Sequence, residues 1–350
     1  ALHAEFVDVP KNLVMPMPDR LDYPSASTVA LGGIAMQAVR RANVKIGEFT
    51  VVYGTGIIGL LAVQMLKLSG ARVIAIDLDK NRLQIALDFG VEAVFCPSDP
   101  DYIRSIMHYT GGKGTDITVF CASTDNPQAL SDAFAICRKK GRVVMVGKWG
   151  KELNRGDIYS KEIDFLISTS YGPGRYDSDY EERGIDYPYA YIRWSEKRNM
   201  EEYLRLLNNH DIKLKPLINA VYDISQVEEA FDSLSRPDPP ILVILGYGDK
   251  LSDEISSLQD SSYNVTDTKS KIQPIASRKI NVGIIGAGSF AIGTHLPNLQ
   301  KLESDYKIRA ICNRTGSKAQ YIAEKNFAEY ATADYQEVIS DPEIDIVMIC

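Results

Sequence analysis

The sequence predicts an α/β protein: two doubly wound parallel sheets in tandem, the second one incomplete. Three observations predict it. Short β-branched runs alternate with helical patterns from Thr50 to Ser168, the rhythm of strands joined by crossover helices. Within that region an apolar run, Thr50-Val51-Val52-Tyr53, enters the glycine turn Gly54-Thr55-Gly56-Ile57-Ile58-Gly59, and a helical pattern follows to Ser69. The same succession restarts at Ile280, beyond a polar stretch, Asp249 to Ser270.

In chain order, Ala1 to Val9 reads as a strand, and Pro10, Pro16, Pro18 and Pro24 hold an extended connector. Ser25 to Arg41 is predicted helical. After the first glycine turn come strand Arg72–Ile76, helix Lys80–Phe89 stopped by Gly90, strand Val91–Phe95 and helix Asp99–Tyr109. Strand Asp116–Cys121, helix Pro127–Cys137, strand Arg142–Gly147 and strand Asp164–Ser168 complete the first sheet. Tyr171 to Trp194 breaks the rhythm with Gly172-Pro173-Gly174, Arg175-Tyr176 and several tyrosines. It reads equally as a substrate-facing loop or as a surface loop packing its rings on the domain edge. Helices Arg198–Asn208 and Ile224–Leu234 and a strand Ile241–Leu245 follow. Asp249 to Ser270 reads as a linker with a marginal helix near Leu251 to Leu258. The second unit has strand Ile280–Ile285, turn Gly286-Ala287-Gly288-Ser289-Phe290-Ala291, helix His295–Leu302, strand Lys307–Cys312, helix Ser317–Lys325 and strand Asp345–Ile349. Ending within a strand, the chain is expected to be a fragment truncated at both ends.

The turn chemistry points to a dinucleotide. Gly54 permits the sharp exit from the strand, Gly56 lets backbone approach a pyrophosphate, and Gly59 lets helix and sheet pack closely. The helix start, with Thr55, Ile57 and Ile58, offers free N–H groups to the anion. Asp77 ends the next strand, about 20 residues on, where it accepts from both hydroxyls of an adenosine ribose and repels a 2′-phosphate. The first unit is therefore expected to take NAD. In the second, Gly286, Gly288, Ser289 and Phe290 form the corresponding turn, while Asn313-Arg314-Thr315 replaces the acid. A neutral side chain with an arginine and a hydroxyl accepts a 2′-phosphate, so NADP or NAD is expected there. Ligands sit beyond the carboxyl ends of parallel strands, which puts Cys121, Ala122, Val146 and Gly147 on the expected cofactor rim.

Composition is that of a globular protein, 45% hydrophobic and 24% charged, with 39 basic against 46 acidic residues and a formal charge of −7. No basic face for nucleic acid is expected. No apolar run approaches a membrane span, and no secretory signal opens the chain. The five cysteines show no close metal spacing and read as buried thiols of a cytoplasmic protein. His108, His210 and His295 read as surface or packing groups.

With both turns placed, residues 1–247 resemble the latter two-thirds of a zinc-type, medium-chain alcohol dehydrogenase. The resemblance rests on His3-Ala4-Glu5-Phe6, Gly54 to Gly59 with Asp77, and Gly141 to Gly147. Residues 280–350 resemble the start of the Gfo/Idh/MocA oxidoreductases, through Val282 to Gly288 and Ile344-Asp345-Ile346-Val347. The resemblance implies two Rossmann units, the first with remnants of a GroES-like β domain. It divides the chain into residues 1–27, the end of that catalytic domain; 28–171, a cofactor domain; 172–247, a return to the catalytic domain; 248–279, a linker; and 280–350, a second cofactor domain. It also implies pairing into a homodimer.

A catalytic zinc in the first family needs Cys and His ligands, one of them a Cys shortly before the glycine turn. Val29 to Gly33 stands there instead, with no Cys or His between His3 and Gly54, so no metal is expected here. Some other donor must then stabilise an alkoxide; the candidates are Lys148, Tyr171, Arg175 and Tyr176. The expected function is hydride transfer between a nicotinamide cofactor and an alcohol or carbonyl of a small molecule, a sugar or nucleotide sugar. The alternative is a catalytically silent cofactor-binding sensor or scaffold. A zinc-free quinone-type reductase would prefer NADPH, against which Asp77 speaks.

Overall fold

The computed structural model describes residues 7, 9–149, 152–236, 238–248, 279–288 and 290–350. Most of the expected opening strand, His3 to Phe6 and the polar linker with its marginal helix lie outside these residues. The chain divides into two compact units, Ala1–Glu254 and Ile255–Cys350.

The first unit is built on a six-stranded, all-parallel sheet in the order β3-β2-β1-β4-β5-β6. Its strands are β1 Phe49–Tyr53, β2 Arg72–Ile76, β3 Ala93–Phe95, β4 Thr115–Phe120, β5 Cys137–Met145 and β6 Asp164–Ile167. The order reverses between β1 and β4, so a crevice opens there beyond the strand ends. Alternation explains the two cores. Val52 faces one layer with Leu60, Leu61 and Leu66 of α3 (Ile57–Leu68), Met36 and Val39 of α2 (Val29–Ala42) and Leu207 of α9 (Glu196–Asn208). Val51 and Tyr53 face the other, with Ile106 of α5 (Tyr102–Tyr109) and Leu130 and Phe134 of α6 (Pro127–Ile136). Each such side chain contributes about 1.5–3 kcal/mol by leaving water. Helix α4, Lys80–Asp88, starts at Asp79, whose carboxylate accepts from the N–H groups of Asn81 and Arg82.

Three expectations are corrected. The helix expected over Ser25–Arg41 is two, α1 Tyr23–Ala26 and α2. Helix α6 stops at Ile136, because Cys137 is already extended and β5 begins there rather than at Arg142. The Tyr171–Trp194 loop contains a short helix, α8 Ser178–Glu181, capped by Asp177. A further strand, β7 Ile218–Asp223, pairs in parallel with β8, Leu242–Gly246, as a separate two-stranded sheet beside α10, Val227–Ser233.

The second unit has a four-stranded parallel sheet, β11-β10-β9-β12. It comprises β9 Ile280–Ile285, β10 Tyr306–Cys312, β11 Tyr330–Thr332 and β12 Ile346–Ile349. Val282, Ile284, Leu296, Ile311 and Ile322 form its core. Strand β11 and the short helix Tyr335–Ser340 were not expected.

Candidate functional site: a nucleotide-type cleft

Between β1, β2 and β4 a cleft of about 630 Å³ is lined by Gly54, Gly56, Asp77, Leu78, Arg82, Cys121 and Ala122 among others. Each glycine of the turn has a local reason. Gly54 has φ 98°, and a Cβ there would lie 2.5 Å from the Ala122 nitrogen. A Cβ on Gly59 would lie 1.9 Å from the Gly54 carbonyl oxygen. Gly56 meets only Arg82 Nη1, 3.9 Å from its ideal Cβ position, so the backbone is bare where it faces the cleft. Ile57 and Ile58 open α3 and pack on the core.

Asp77 is already oriented. Thr55, fully buried, donates its N–H at 2.5 Å and its hydroxyl at 2.9 Å to Asp77 Oδ2, and the Asp79 N–H reaches Oδ1 at 2.9 Å. Asp77 is thus fastened to the glycine turn through Thr55. On the opposite side, the N–H groups of Cys121 and Ala122 both donate to the Tyr53 carbonyl, at 2.8 and 2.9 Å. Burial pushes the Cys121 thiol up to about 12, so it lines the cleft as a neutral thiol. Val146 and Gly147 donate to the Phe120 carbonyl at 2.9 and 3.0 Å, and a Cβ on Gly147 would lie 2.0 Å from the Ala122 oxygen. They stand beside the rim without lining the cleft.

The four candidate donors are not brought together. Lys148 is exposed and pairs with Asp125 at 2.8 Å. Arg175 pairs with Glu181 at 2.5 Å and lies over the Tyr176 ring, 4.2 Å from its centroid. Tyr176 is exposed with φ 67°. The Tyr171 carbonyl accepts from Asn199 Nδ2 at 2.9 Å. None of the four lines the cleft; Arg175 lines a separate hollow of about 370 Å³ with Gln37, Arg41 and Thr169.

Two features escaped the sequence reading. Arg82 joins the cleft wall, paired to Asp79 at 3.3 Å and reaching the Pro239 carbonyl at 3.5 Å. Its signal was position: it lies on the first turn of the helix that follows Asp77. The second is a polar chain. The Tyr53 and Tyr102 hydroxyls meet, Tyr102 donates to Asp132 Oδ2, and Gln128 Nε2 donates to Asp132 Oδ1 at 2.8 Å. Burial and the Asp132 hydrogen bond push the Tyr102 phenol far up, so it keeps its proton. Gln128 and Asp132, four apart on α6, were legible as one helix face.

In the second unit Gly286 has φ 82°, and a Cβ there would lie 2.3 Å from the Cys350 carbonyl oxygen. The Gly288 N–H reaches the Gly286 carbonyl at 2.6 Å. Asn313 Nδ2 donates to the Ala287 carbonyl at 2.8 Å, and its Oδ1 accepts the Thr315 N–H at 3.2 Å. Arg314 is exposed beside them. Phe290 is exposed, its ring edge-to-face with His295 at 4.9 Å. Ser289 lies outside the described residues.

Comparison with known proteins agrees with this geometry. Residues 58–185 match the zinc-binding dehydrogenase family, and residues 280–350 match the oxidoreductase family with an NAD-binding Rossmann fold. The chain therefore joins a zinc-binding dehydrogenase domain to a Gfo/Idh/MocA-type Rossmann region. It is similar to (R,R)-butanediol dehydrogenase of Bacillus subtilis (strain 168), 33% identical over 162 residues, which are 45% of this chain and 46% of that protein. It is also similar to the protein named "Probable D-xylulose reductase A" of Emericella nidulans, 26% identical over 252 residues, 70% of this chain and 63% of the relative. The chain thus spans less than two-thirds of either relative. The crystal structure of 2R,3R-butanediol dehydrogenase from Bacillus subtilis shares the fold, with TM-score 0.54 and 24% identity over 67% of this chain and 60% of that one. L-idonate 5-dehydrogenase from Escherichia coli does likewise, with TM-score 0.54 and 21% identity over 67% of this chain and 60% of that one.

The family name implies zinc. Among the described residues no group of three or more His, Cys, Asp or Glu is placed to hold a metal. The described donors do not fit a zinc site. No helix among the described residues is long and apolar enough to cross a membrane.

Proposed function

We propose that this protein is a nicotinamide-dependent oxidoreductase that moves hydride between its cofactor and an alcohol or carbonyl carbon. The observation that carries the reading is the bare Gly54–Gly59 turn locked to Asp77 in the crevice where the strand order reverses. The backbone from Gly56 into α3 would hold the pyrophosphate, and Asp77 the ribose, excluding a 2′-phosphate by charge. A nicotinamide supplies the hydride chemistry when bound. Asn313, Arg314 and Thr315 support NADP or NAD in the second unit. The substrate is proposed to be a sugar or nucleotide sugar, and the relatives' names, a butanediol dehydrogenase and a probable D-xylulose reductase, support the polyol or sugar part of that reading. The separate β7–β8 sheet supports reading residues 172–247 as part of a GroES-like domain. Lys148 and Arg175 are held by carboxylates, which leaves Tyr171 and Tyr176 as the freer candidate donors to an alkoxide.

The test is a nicotinamide-fluorescence titration of the chain with NADH and NADPH. Asp77→Ala should weaken NADH most, and Arg314→Ala should weaken NADPH most; no binding of either nucleotide would end the proposal. A second reading, a cofactor-binding sensor without turnover, is favoured by the absence of all four candidate donors from the cleft lining. Hydride transfer with any member of an alcohol panel would dispose of it.

A further inference from the structure

The hollow that Arg175 lines shares no residue with the cofactor cleft. Its volume is about 370 Å³, its polar side chains are Gln37, Arg41, Thr169 and Arg175, and no carboxylate lines it. On a chain of formal charge −7, two guanidiniums, a carboxamide and a hydroxyl around one hollow are a local reversal of sign.

Local structure brings these groups together. Arg41 is on the last turn of α2, and its Nε donates to the Ile167 carbonyl at the end of β6, at 3.2 Å. Thr169, Gly172 and Arg175 follow at intervals of three residues and are held by successive turns. The Gly172 N–H donates to the Thr169 carbonyl at 2.9 Å, and the Arg175 N–H to the Gly172 carbonyl at 3.2 Å. Only glycine suits the middle position, where φ is 110° and a Cβ would lie 2.5 Å from Gln37 Oε1. Gln37 is 7% exposed, and a relay fixes which way round it lies. The Tyr171 carbonyl only accepts, so the Asn199 atom 2.9 Å from it is the amide nitrogen. That nitrogen also meets Gln37 at 3.3 Å, so Gln37 answers with its oxygen. Its Nε2 is a donor with no partner among the described residues.

The guanidiniums keep donors free as well. Among the described residues the Arg41 side chain donates only to Ile167, and that of Arg175 only to Glu181. Glu181 stands outside the lining, as does Glu196, whose charge also reaches Arg175. Donors without acceptors call for an anion. Two guanidinium forks, a carboxamide and a hydroxyl exceed what the two oxygens of a carboxylate take up. A phosphoryl group offers three oxygens and a charge of about −1.5 to −2 at pH 7.

We propose that this hollow binds a phosphoryl group, of a small phosphate monoester or of free phosphate, between Arg41 and Arg175, with Gln37 and Thr169 completing the donors. The site is separate from the diphosphate grip at Gly54–Gly59 and does not depend on the cofactor reading.

The experiment is calorimetric titration of the whole chain at low ionic strength with inorganic phosphate, glucose 6-phosphate and glucuronate. The wild-type chain should bind both phosphates, more weakly as salt is added. Arg41→Met should weaken both by roughly tenfold or more, the worth of a charge-assisted hydrogen bond. Arg41 is exposed, so this variant should keep the wild-type melting temperature. Arg41→Lys keeps the charge without the fork and should fall between the two. Tighter binding of the ester than of inorganic phosphate would identify an esterified ligand, and equal binding free phosphate; either result supports the site. Binding of neither phosphate, glucuronate bound as tightly as both, or phosphate affinities unchanged in Arg41→Met would overturn it. The last result would place the phosphate elsewhere, since Arg41 does not line the cofactor cleft. NADH binding is measured separately, so the cofactor reading stands or falls on its own titration.

Discussion

Glu196 has no exposed surface, and neither of its carboxylate oxygens has a hydrogen-bond partner among the described residues. Burial, with Glu181 nearby, pushes its carboxyl up to about 7, and Arg175 opposes the shift only in part. Tyr180 and Tyr187 also feel its charge. The folded state therefore keeps a proton that the unfolded chain releases near the ordinary Glu range. Stability from this group is whole below about pH 4.5 and is lost as pH rises through about 7. The unfolding free energy of the chain, read from denaturant curves, should fall between pH 5 and pH 8 by on the order of 1–3 kcal/mol. Glu196→Gln should flatten that profile; an unchanged profile would remove Glu196 as its source. The sequence did not disclose this residue. It lies close under Gly174, whose φ is 115° and whose Cβ position would fall 3.1 Å from Glu196 Oε1 and 2.7 Å from Tyr180 Cδ1. Gly59, by contrast, was legible from its place in the motif. Gly59→Ala should destabilise by more than roughly 3 kcal/mol, because the added carbon meets backbone and not a movable side chain. Thermal unfolding checks it.

Helix α6 ends under a side chain that comes from far along the chain. Lys161 Nζ donates to the carbonyls of Phe134, Ala135 and Cys137, at 3.0, 2.6 and 2.8 Å. The Phe134 and Ala135 carbonyls belong to the last turn of α6, the former also accepting the Cys137 N–H, and the cation suits the negative end of the dipole. Lys161→Met should cost about 1–2 kcal/mol, read from urea unfolding; no change would mean that water replaces the ammonium without loss. The overrun of the expected helix into Cys137 has a simple origin. Phe134-Ala135-Ile136-Cys137 continues an apolar pattern, whereas the Cys137 backbone is already extended and opens β5. Strand β7 escaped for a different reason. Its pattern, Ile218-Asn219-Ala220-Val221-Tyr222, is short, and its partner β8 lies beyond α10. Asn219 Oδ1 accepts the Ile241 N–H at 2.6 Å, a contact no local pattern announces. Strand β11 has three residues, too few for alternation to be seen.

Across the whole molecule, the parts that sequence showed clearly are those where one rule acts locally. A parallel sheet buried on both faces needs near-continuous apolar strands, and Val51-Val52, Val73 to Ile76 and Val143 to Met145 supply them. Both glycine turns were visible because positive φ and close approach admit few other residues. The candidate donors were not legible as a group, since Lys148 and Arg175 are each taken up by a carboxylate, Glu181 near Arg175 in sequence but Asp125 brought to Lys148 only by the fold. Two turns on two sheets lead to a stoichiometric expectation. Calorimetric titration should give two nicotinamide nucleotides per chain, and Arg314→Ala should weaken one class of site without touching the other. A single site in the wild-type chain would refute the tandem reading.

The fastening of Asp77 to Thr55 limits how far this cleft can be re-engineered. Replacing the acid to admit a phosphorylated ribose would strand a hydroxyl and an amide in the fully buried Thr55, a desolvation penalty of about 1–3 kcal/mol for each group. Conversion from one nicotinamide nucleotide to the other should therefore demand a coordinated exchange at both positions.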